Sequence, residues 1–379
     1  MSCARDFVWP VEARVTRRTP AGRWNAADLH SAHVTEPPSD PLLPPTHASA
    51  FRPRRLALQL LAFAVGLALL AFTISIAFGE KNREQIEKLQ DASWQQIALL
   101  LGLSLVSLVV NGVMFWFALR PVRELHVVDV VSTNCIAAFL GYLPMKLGLI
   151  LRIAIHVRRD RVPLLTVTAW FASVAIVMLG VVGVLLAASL ATKDLNALWF
   201  TIAIGGLLLG GSVLVLFARL FAGEAGLARL DRLLRALRLP LLPKIVQSER
   251  YKQLHAAADM LADPKAVYAT IALRVVDFAL QAARVPVAAG IIGLSLPYTQ
   301  AFMISATAFL VGIVSPGGPV GSREAAVYGV CELLSIPNAE SFALVALLVT
   351  GTEGIAYAIG AAFSLAWMRP TKLLTPKPA

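Results

Sequence analysis

The chain has 379 residues, of which 57% are hydrophobic and 15% are charged; its mean hydropathy is +0.70 and its formal net charge is +11. These values exclude an ordinary soluble globular protein and indicate a chain that lies mostly within a lipid bilayer. A soluble protein this basic would suggest nucleic acid as a partner. Here the Lys and Arg residues lie at the ends of apolar segments and between them, as in the positive-inside pattern of membrane proteins, so we expect no nucleic-acid partner.

Residues 1–50 differ in composition from the rest of the chain. They are rich in Pro, Arg, Thr and His, show no apolar periodicity, and contain a cluster of prolines between residues 37 and 45. Such a cluster excludes regular secondary structure. We therefore expect this segment to be a disordered cytoplasmic tail.

Six apolar segments are each long enough to cross a bilayer as a helix, which takes about 20 residues. They cover approximately residues 56–78, 95–119, 164–190, 197–218, 266–293 and 339–368. Arginines just before the first segment, and Arg369 and Lys372 after the last, place both termini in the cytoplasm. We predict an all-α, multi-pass protein of the cytoplasmic (inner) membrane, with a transmembrane domain over 51–370 and a short cytoplasmic tail over 371–379.

Two further apolar segments, 126–157 and 299–335, are interrupted by polar breaks that contain proline and glycine. The breaks read Pro144-Met145-Lys146-Leu147-Gly148 and Ser315-Pro316-Gly317-Gly318-Pro319-Val320-Gly321-Ser322-Arg323-Glu324. The arms of the second segment, about 12–16 residues each, are too short to span a bilayer. Backbone without helical hydrogen bonds cannot face lipid, so such a break must lie in protein or line a hydrated cavity. We predict two re-entrant hairpins.

The flanking charges predict that the first hairpin enters from the cytoplasm and the second from outside. This opposite orientation indicates an inverted repeat, with repeat one at about 95–190 and repeat two at about 266–368. The intervening segment 219–265 has leucines at helical spacing and a surplus of Lys and Arg, which is typical of an amphipathic helix on the cytoplasmic surface. The alternative is that any polytopic protein offers two unrelated breaks; the charge bias favours the repeat.

The second break is the first candidate substrate site. We expect Ser322 to cap the following helix and Glu324 to lie in its first turn, an arrangement that needs no function. The same geometry also suits a ligand, because free N–H groups at a helix start bind phosphate and glycines let backbone approach a headgroup closely. The substrate-binding candidates here are Pro316, Gly317, Gly318, Gly321, Arg323 and Glu324.

A polar stripe on the fifth span is the second candidate. Arg274, Asp277, Gln281 and Arg284 lie within roughly 80° of one another on a helix with 100° per residue. Such a stripe is costly in lipid, so it should face the interior of the bundle or a hydrated groove, with Arg274 and Asp277 able to pair. Two interpretations stay open: a substrate path, or an internal ion-pair network that joins the two repeats.

The first hairpin supplies the third candidate set. Asn134, Lys146 and Arg152 lie in or beside the first break. Asn134 can simply bridge helices, and the two cations can simply extend to the cytoplasmic headgroups. Two cations that flank Pro144 and Gly148 would also suit an anionic headgroup.

Signatures of catalysis are not found. The sequence contains no nucleophile-elbow motif, no paired His-Glu metal motif and no Walker sequence. The three cysteines fit no disulfide framework or zinc spacing, and the six histidines give no metal-binding pattern. We therefore expect no enzymatic activity, no metal and no cofactor.

The two breaks together resemble the flippase-like integral membrane family that includes the transmembrane half of lysylphosphatidylglycerol synthetase. The family's Pro-Gly-Gly-x-Gly-x-x-Glu signature is matched by Pro316 to Glu324 with one residue of extra spacing, and its earlier Asn, Pro, Gly and Arg segment is matched by the first break. The positions matched in that segment are Asn134, Pro144, Gly148 and Arg152. The resemblance covers about residues 56–370.

The chain departs from the family pattern at two places. Family members often carry a Glu-Arg pair in the span after the first hairpin, where this chain has Trp170-Phe171-Ala172-Ser173, and an arginine in the last span, where it has Thr350-Gly351-Thr352-Glu353. Because the sequence ends soon after the last span, the resemblance implies lipid handling without aminoacyl transfer. We expect a phospholipid or lipid-linked headgroup to be the substrate. The alternatives are an accessory subunit of, or itself, a membrane-embedded lipid-modifying enzyme with a partner synthase, and a scaffold.

Overall fold

A computed structural model of the chain describes residues 53–143, 146–192, 194–236, 248–370 and 373–375. Over these residues the structure consists of 13 α-helices and one short 3₁₀ helix and has no strand, which confirms the predicted all-α fold. The predicted tail at 1–50, Pro144 in the first break and Lys372 at the end lie outside the described residues.

Six of the described helices are long and apolar enough to cross a membrane, which confirms the number of predicted spans. Their bounds are α1 Pro53–Ala77, α3 Trp94–Leu119, α6 Leu164–Ala191, α7 Ala197–Phe221, α10 Pro264–Ile291 and α13 Ser341–Met368. Each has at least 25 residues, or about 37 Å of helix at 1.5 Å per residue. The protein is therefore a multi-pass membrane protein.

Seven shorter helices connect and flank these spans. They are α2 Arg83–Gln90, α4 Val127–Leu140, α5 Leu147–Arg158, α8 Gly223–Ala236, α9 Glu249–Ala262, α11 Tyr298–Val314 and α12 Ser322–Leu333, with a 3₁₀ turn at Glu80–Asn82 before α2. The amphipathic segment predicted at 219–265 contains α8 and α9. Of these two, α9 packs against both α6 and α7, and it buries Met260 and Leu261 there.

The two predicted hairpins correspond to two pairs of short helices, α4–α5 and α11–α12, each packed along its partner. We call them the first and second helical pair. The turn of the second pair, between Val314 and Ser322, falls at the proline- and glycine-containing break, because proline and glycine interrupt helical hydrogen bonding there. The turn of the first pair lies between Leu140 and Leu147, and Gly148 of its break lies inside α5. That the pairs are re-entrant, and that they enter from opposite sides, stays a prediction.

The helix contacts follow a reciprocal pattern. Helix α3 packs extensively on α10; α4 packs on α13, and α11 packs on α6. The contact of α3 with α13 corresponds to the contact of α10 with α6. The contact of α3 with α6 likewise corresponds to the contact of α10 with α13. Helices α3–α6 and α10–α13 form two four-helix units. If a two-fold axis relates the units, each contact that a helix of one unit makes is repeated by the corresponding helix of the other. The pattern supports the predicted repeat, and α1 lies outside it, packed on α12 and α13.

Candidate functional site

The central contact between α3 and α10 contains a buried carboxylate, Asp277. Its side chain accepts hydrogen bonds from Ser107 at 2.5 Å, Asn111 at 3.4 Å and Gln281 at 3.0 Å. It also forms an ion pair with Arg274, as the helical spacing predicted, and both side chains are fully buried. Because Ser107 and Asn111 belong to α3, this cluster joins the two four-helix units.

The guanidinium group of Arg274 is stabilised by more than its ion pair. It lies over the ring of Phe309 at 4.1 Å and near that of Phe278 at 5.4 Å, where the negative faces of the rings attract a cation. Its Nε and Nη2 atoms have no hydrogen-bond partner among the described residues. A buried guanidinium with two unused donors is costly unless an acceptor is supplied.

A second cluster centres on Glu353 in the last long helix. Arg284 donates to its Oε2 at 2.6 Å, Arg323 donates to Oε1 at 2.9 Å and to Oε2 at 3.3 Å, and Tyr142 donates to Oε1 at 2.8 Å. These partners lie on α10, at the start of α12 and in the turn after α4. One carboxylate therefore connects both helical pairs to α13.

Glu353 was not among the candidates chosen from the sequence. The signal that would have found it is its setting: Glu353 carries the only charge in the 28 residues of α13. A charged side chain inside a membrane span is expensive and marks a functional or paired site. In the sequence, this position stood out only as a departure from the family pattern.

The polar stripe on α10 lies inside the bundle. Arg274, Asp277 and Arg284 are buried, and Gln281 is half-buried beside them. Both interpretations of the stripe remain: its residues form an ion-pair network between the units, and Arg274, Asp277 and Gln281 also line a cavity described below.

Glu324 lies in the first turn of α12, as predicted, but the helix is capped differently from the prediction. The cap residue is Gly321, at a φ of 79°, and Ser322 donates instead to the carbonyl of Gly318 at 3.1 Å, so the prediction of Ser322 as N-cap was wrong. Glu324 accepts the Gly321 N–H at 2.6 Å and the Thr350 hydroxyl at 2.5 Å. The long side chain of Glu324, which reaches back from the first turn, caps the helix in place of the short side chain of Ser322 that the sequence suggested.

The glycines of the second break have different neighbours. A Cβ atom on Gly317 would lie 2.3 Å from the carbonyl oxygen of Ala62, and one on Gly321 would lie 1.7 Å from that of Gly66. These two glycines therefore allow the break to pack directly on the backbone of α1. Gly318 faces a cavity instead, where a Cβ atom would meet only the Leu143 carbonyl oxygen, 3.9 Å away. The neighbouring Pro316 is exposed.

The candidates of the first helical pair are not all brought together. Arg152 donates a short hydrogen bond to Asn134 and lies over the ring of Phe115 at 4.3 Å, while Asn134 donates to the Leu108 carbonyl at 3.0 Å. Asn134 thus bridges α4 to α3. Lys146 is separate from this group: it is exposed, at a φ of 51°, and lines the larger cavity.

Two adjoining cavities open beside these clusters. The first, about 200 Å³, is lined by Arg274, Asp277 and Gln281, and the second, about 370 Å³, by Lys146 and Gly318. Both are also lined by a shared set of residues: Ala138, Gly312, Ile313, Pro319, Arg323, Glu353 and Tyr357. We call the two cavities together the groove. It runs from the facing turns of the two helical pairs to the stripe on α10.

Comparison with known protein families identifies the family of the chain. The family model described as Lysylphosphatidylglycerol synthase TM region matches residues 59–360. The chain belongs to this family. No curated protein and no solved structure matches the chain.

The match to the lysylphosphatidylglycerol synthase TM-region family confirms the resemblance seen in the sequence. The matched residues include both helical pairs, the stripe on α10 and Glu353. The family relates the chain to lipid handling in the membrane.

Proposed function

We propose that this protein translocates a phospholipid or lipid-linked headgroup between leaflets, with the headgroup phosphate bound at Arg323 in the groove. The observation that carries the proposal is the position of this arginine. Its side chain is 17% exposed, whereas the side chains of Arg274 and Arg284 are 0% and 3% exposed. Of these three arginines, Arg323 is thus the one that a ligand in the groove reaches most directly.

The groove around Arg323 has the chemistry of an anion site. The Nε atom of Arg323 has no hydrogen-bond partner in the described part of the chain. Lys146 adds a second cation, and Gly318, at a φ of 108°, lines the same cavity without a side chain in the way. A guanidinium fork and a nearby ammonium suit a phosphate, which offers several acceptor oxygens.

The charges of the buried side chains around the groove favour the binding of an anion. The three arginines form ion pairs with two carboxylates, Asp277 and Glu353. Glu324 balances the third charge formally, but its oxygens accept hydrogen bonds from Gly321 and Thr350. A phosphate in the groove would supply the acceptor that the unused guanidinium donors lack.

Leaflet exchange in proteoliposomes tests this function. Labelled phosphatidylglycerol and labelled phosphatidylcholine are followed with the wild type, Arg323→Gln and Glu324→Gln. We expect exchange of the anionic lipid by the wild type, a loss of about ten-fold or more in Arg323→Gln because a charged hydrogen bond is removed, and loss of exchange in Glu324→Gln with intact membrane insertion.

Lys81→Gln is the matched control, because Lys81 is an exposed cation outside the groove, paired with Glu340. It should exchange lipid at the wild-type rate. Wild-type exchange by Arg323→Gln would remove the phosphate site from Arg323, and wild-type exchange by Glu324→Gln would remove Glu324 from the mechanism. No exchange of either lipid by folded wild type would overturn the proposal and favour a role as an enzyme subunit or scaffold.

A further inference from the structure

Glu353 occupies the place where the proposed phosphate would bind. Its two oxygens accept both Nη atoms of Arg323, at 2.9 and 3.3 Å, in the paired geometry that a guanidinium makes with a carboxylate. A phosphodiester presents two oxygens to a guanidinium in the same way. The two anions therefore compete for one fork.

The structure also shows why Glu353 can lose its ion pair with Arg323 and still be paired. Its Oε2 atom accepts a hydrogen bond of 2.6 Å from Arg284, which is further anchored by a bond of 3.2 Å to Ser104. Arg284 is 3% exposed and is not among the residues that line the larger cavity. An exchange at Arg323 thus leaves one buried ion pair intact, and avoids the large cost of an isolated buried carboxylate.

The same carboxylate holds the turn of the first helical pair. Tyr142, in the turn after α4, donates to Oε1 of Glu353, the oxygen that also accepts from Arg323. The ring of Tyr142 packs edge-on against Tyr357 of α13 at 5.7 Å. Through Glu353, the turn of one helical pair is therefore connected to the first turn of the other.

We propose, on the basis of the phosphate site at Arg323, that Glu353 is an internal substitute for the substrate phosphate. It pairs with Arg323 while the groove is empty, and an entering phosphate displaces it from Arg323 and weakens its bond to Tyr142. Ligand binding is thereby coupled to separation of the two turns. Glu353 acts here as a positioning residue that makes the groove selective for an anion able to compete with a carboxylate.

Binding measurements on the purified full-length protein in detergent test this exchange. The probes are dihexanoyl phosphatidylglycerol, dihexanoyl phosphatidylcholine and inorganic phosphate, and the readouts are calorimetric Kd and ligand-induced change in melting temperature. Glu353→Gln removes the competing charge but keeps a hydrogen-bond acceptor. We expect this variant to melt at a lower temperature than the wild type without ligand and to bind the anionic lipid about ten-fold more tightly. The lipid should also raise its melting temperature by more than it raises that of the wild type.

Tyr142→Phe provides a second variant in which all charges and the ring contact are kept. We expect it to bind the anionic lipid about two- to three-fold more tightly, because ligand no longer has to break the hydrogen bond to Glu353. This variant keeps the proposal testable if Glu353→Gln does not fold.

The outcomes separate this inference from the proposed function. Wild-type binding of the anionic lipid with equal or weaker binding by the variants would overturn the role of Glu353 and leave the phosphate site standing. If inorganic phosphate shows the same pattern of affinities as the lipid, the exchange stands and the assignment to a lipid headgroup fails. If neither phosphate-bearing anion binds any folded form, both proposals fail.

Discussion

The two helical pairs occupy corresponding places in the two four-helix units but are closed by different contacts. In the first pair, Gly148 packs on the pair itself: a Cβ atom there would lie 2.0 Å from the carbonyl oxygen of Ala137. In the second pair, Gly317 and Gly321 pack on Ala62 and Gly66 of α1, a helix outside the repeat. The first pair is therefore closed by its own residues, whereas the second depends on an added helix.

The cations of the two pairs differ in the same way. Arg152 of the first pair is held by the neutral amide of Asn134 and by the ring of Phe115. Arg323 of the second pair is held by the carboxylate of Glu353. An amide and an aromatic ring attract a cation less strongly than a buried carboxylate does, so changes in the second pair should have the larger effects.

The largest effect should come from Gly321→Ala. A methyl group there would collide with the backbone of Gly66, and the φ of 79° is strained for alanine. We expect a loss of about 3 kcal/mol or more in the free energy of unfolding, from strain and overpacking together. Thermal unfolding in detergent measures it.

Gly329→Ala is the matched control, because Gly329 is also on α12 and, apart from its two chain neighbours and the helix's own backbone, no heavy atom lies within 4 Å of the place that an added methyl group would take. We expect that variant to be as stable as the wild type or slightly more stable, since alanine favours a helix. Equal stability of the two variants would mean that α1 does not clamp the second pair.

The next effect should come from Arg323→Met, which leaves Glu353 paired with Arg284 and Tyr142. We expect a loss of about 2 kcal/mol in the free energy of unfolding. This is below the roughly 3–5 kcal/mol lost when a buried charge is left without a partner. Arg152→Met, its counterpart in the first pair, should lose less because no carboxylate depends on it among the described residues. An equal or larger loss in Arg152→Met would contradict the comparison between the two pairs.

A smaller effect is expected for Thr350→Val, which removes one of the two hydrogen bonds to Glu324 but keeps the side-chain shape. The free energy of unfolding should fall by about 1.5 kcal/mol, the lower end for a hydrogen bond to a charged group. Thr350→Ser keeps the hydroxyl and should stay near the wild type. Wild-type stability of Thr350→Val would show that this hydrogen bond does not contribute to stability.

The smallest effect should come from Arg152→Lys. The charge is kept, but an ammonium group stacks less well on Phe115 and Phe171 than a planar guanidinium does. We expect a loss of about 1 kcal/mol or less in the free energy of unfolding. A much larger loss, with membrane insertion unchanged, would indicate that Arg152 is held by an interaction as strong as the ion pair between Arg323 and Glu353.

Features that depend on local pattern could be predicted from the amino-acid sequence alone. The length and apolarity of six segments predicted the six long helices, because a bilayer requires about 20 apolar residues. Proline and glycine placed the turn of the second helical pair, because they interrupt helical hydrogen bonds. The helical period placed Arg274, Asp277 and Arg284 on one face, and the structure buries all three.

The residues that meet across the bundle could be identified only from the folded structure. Glu353 pairs with Arg284 and Arg323, which are 69 and 30 positions away, and Gly321 packs on Gly66 of a helix outside the repeat. The cap on α12 likewise came from Glu324 because its carboxylate reaches back to the Gly321 N–H and is also held by Thr350 of α13. Periodicity and composition are properties of one segment, whereas the partner of a buried charge depends on which helices the fold brings together.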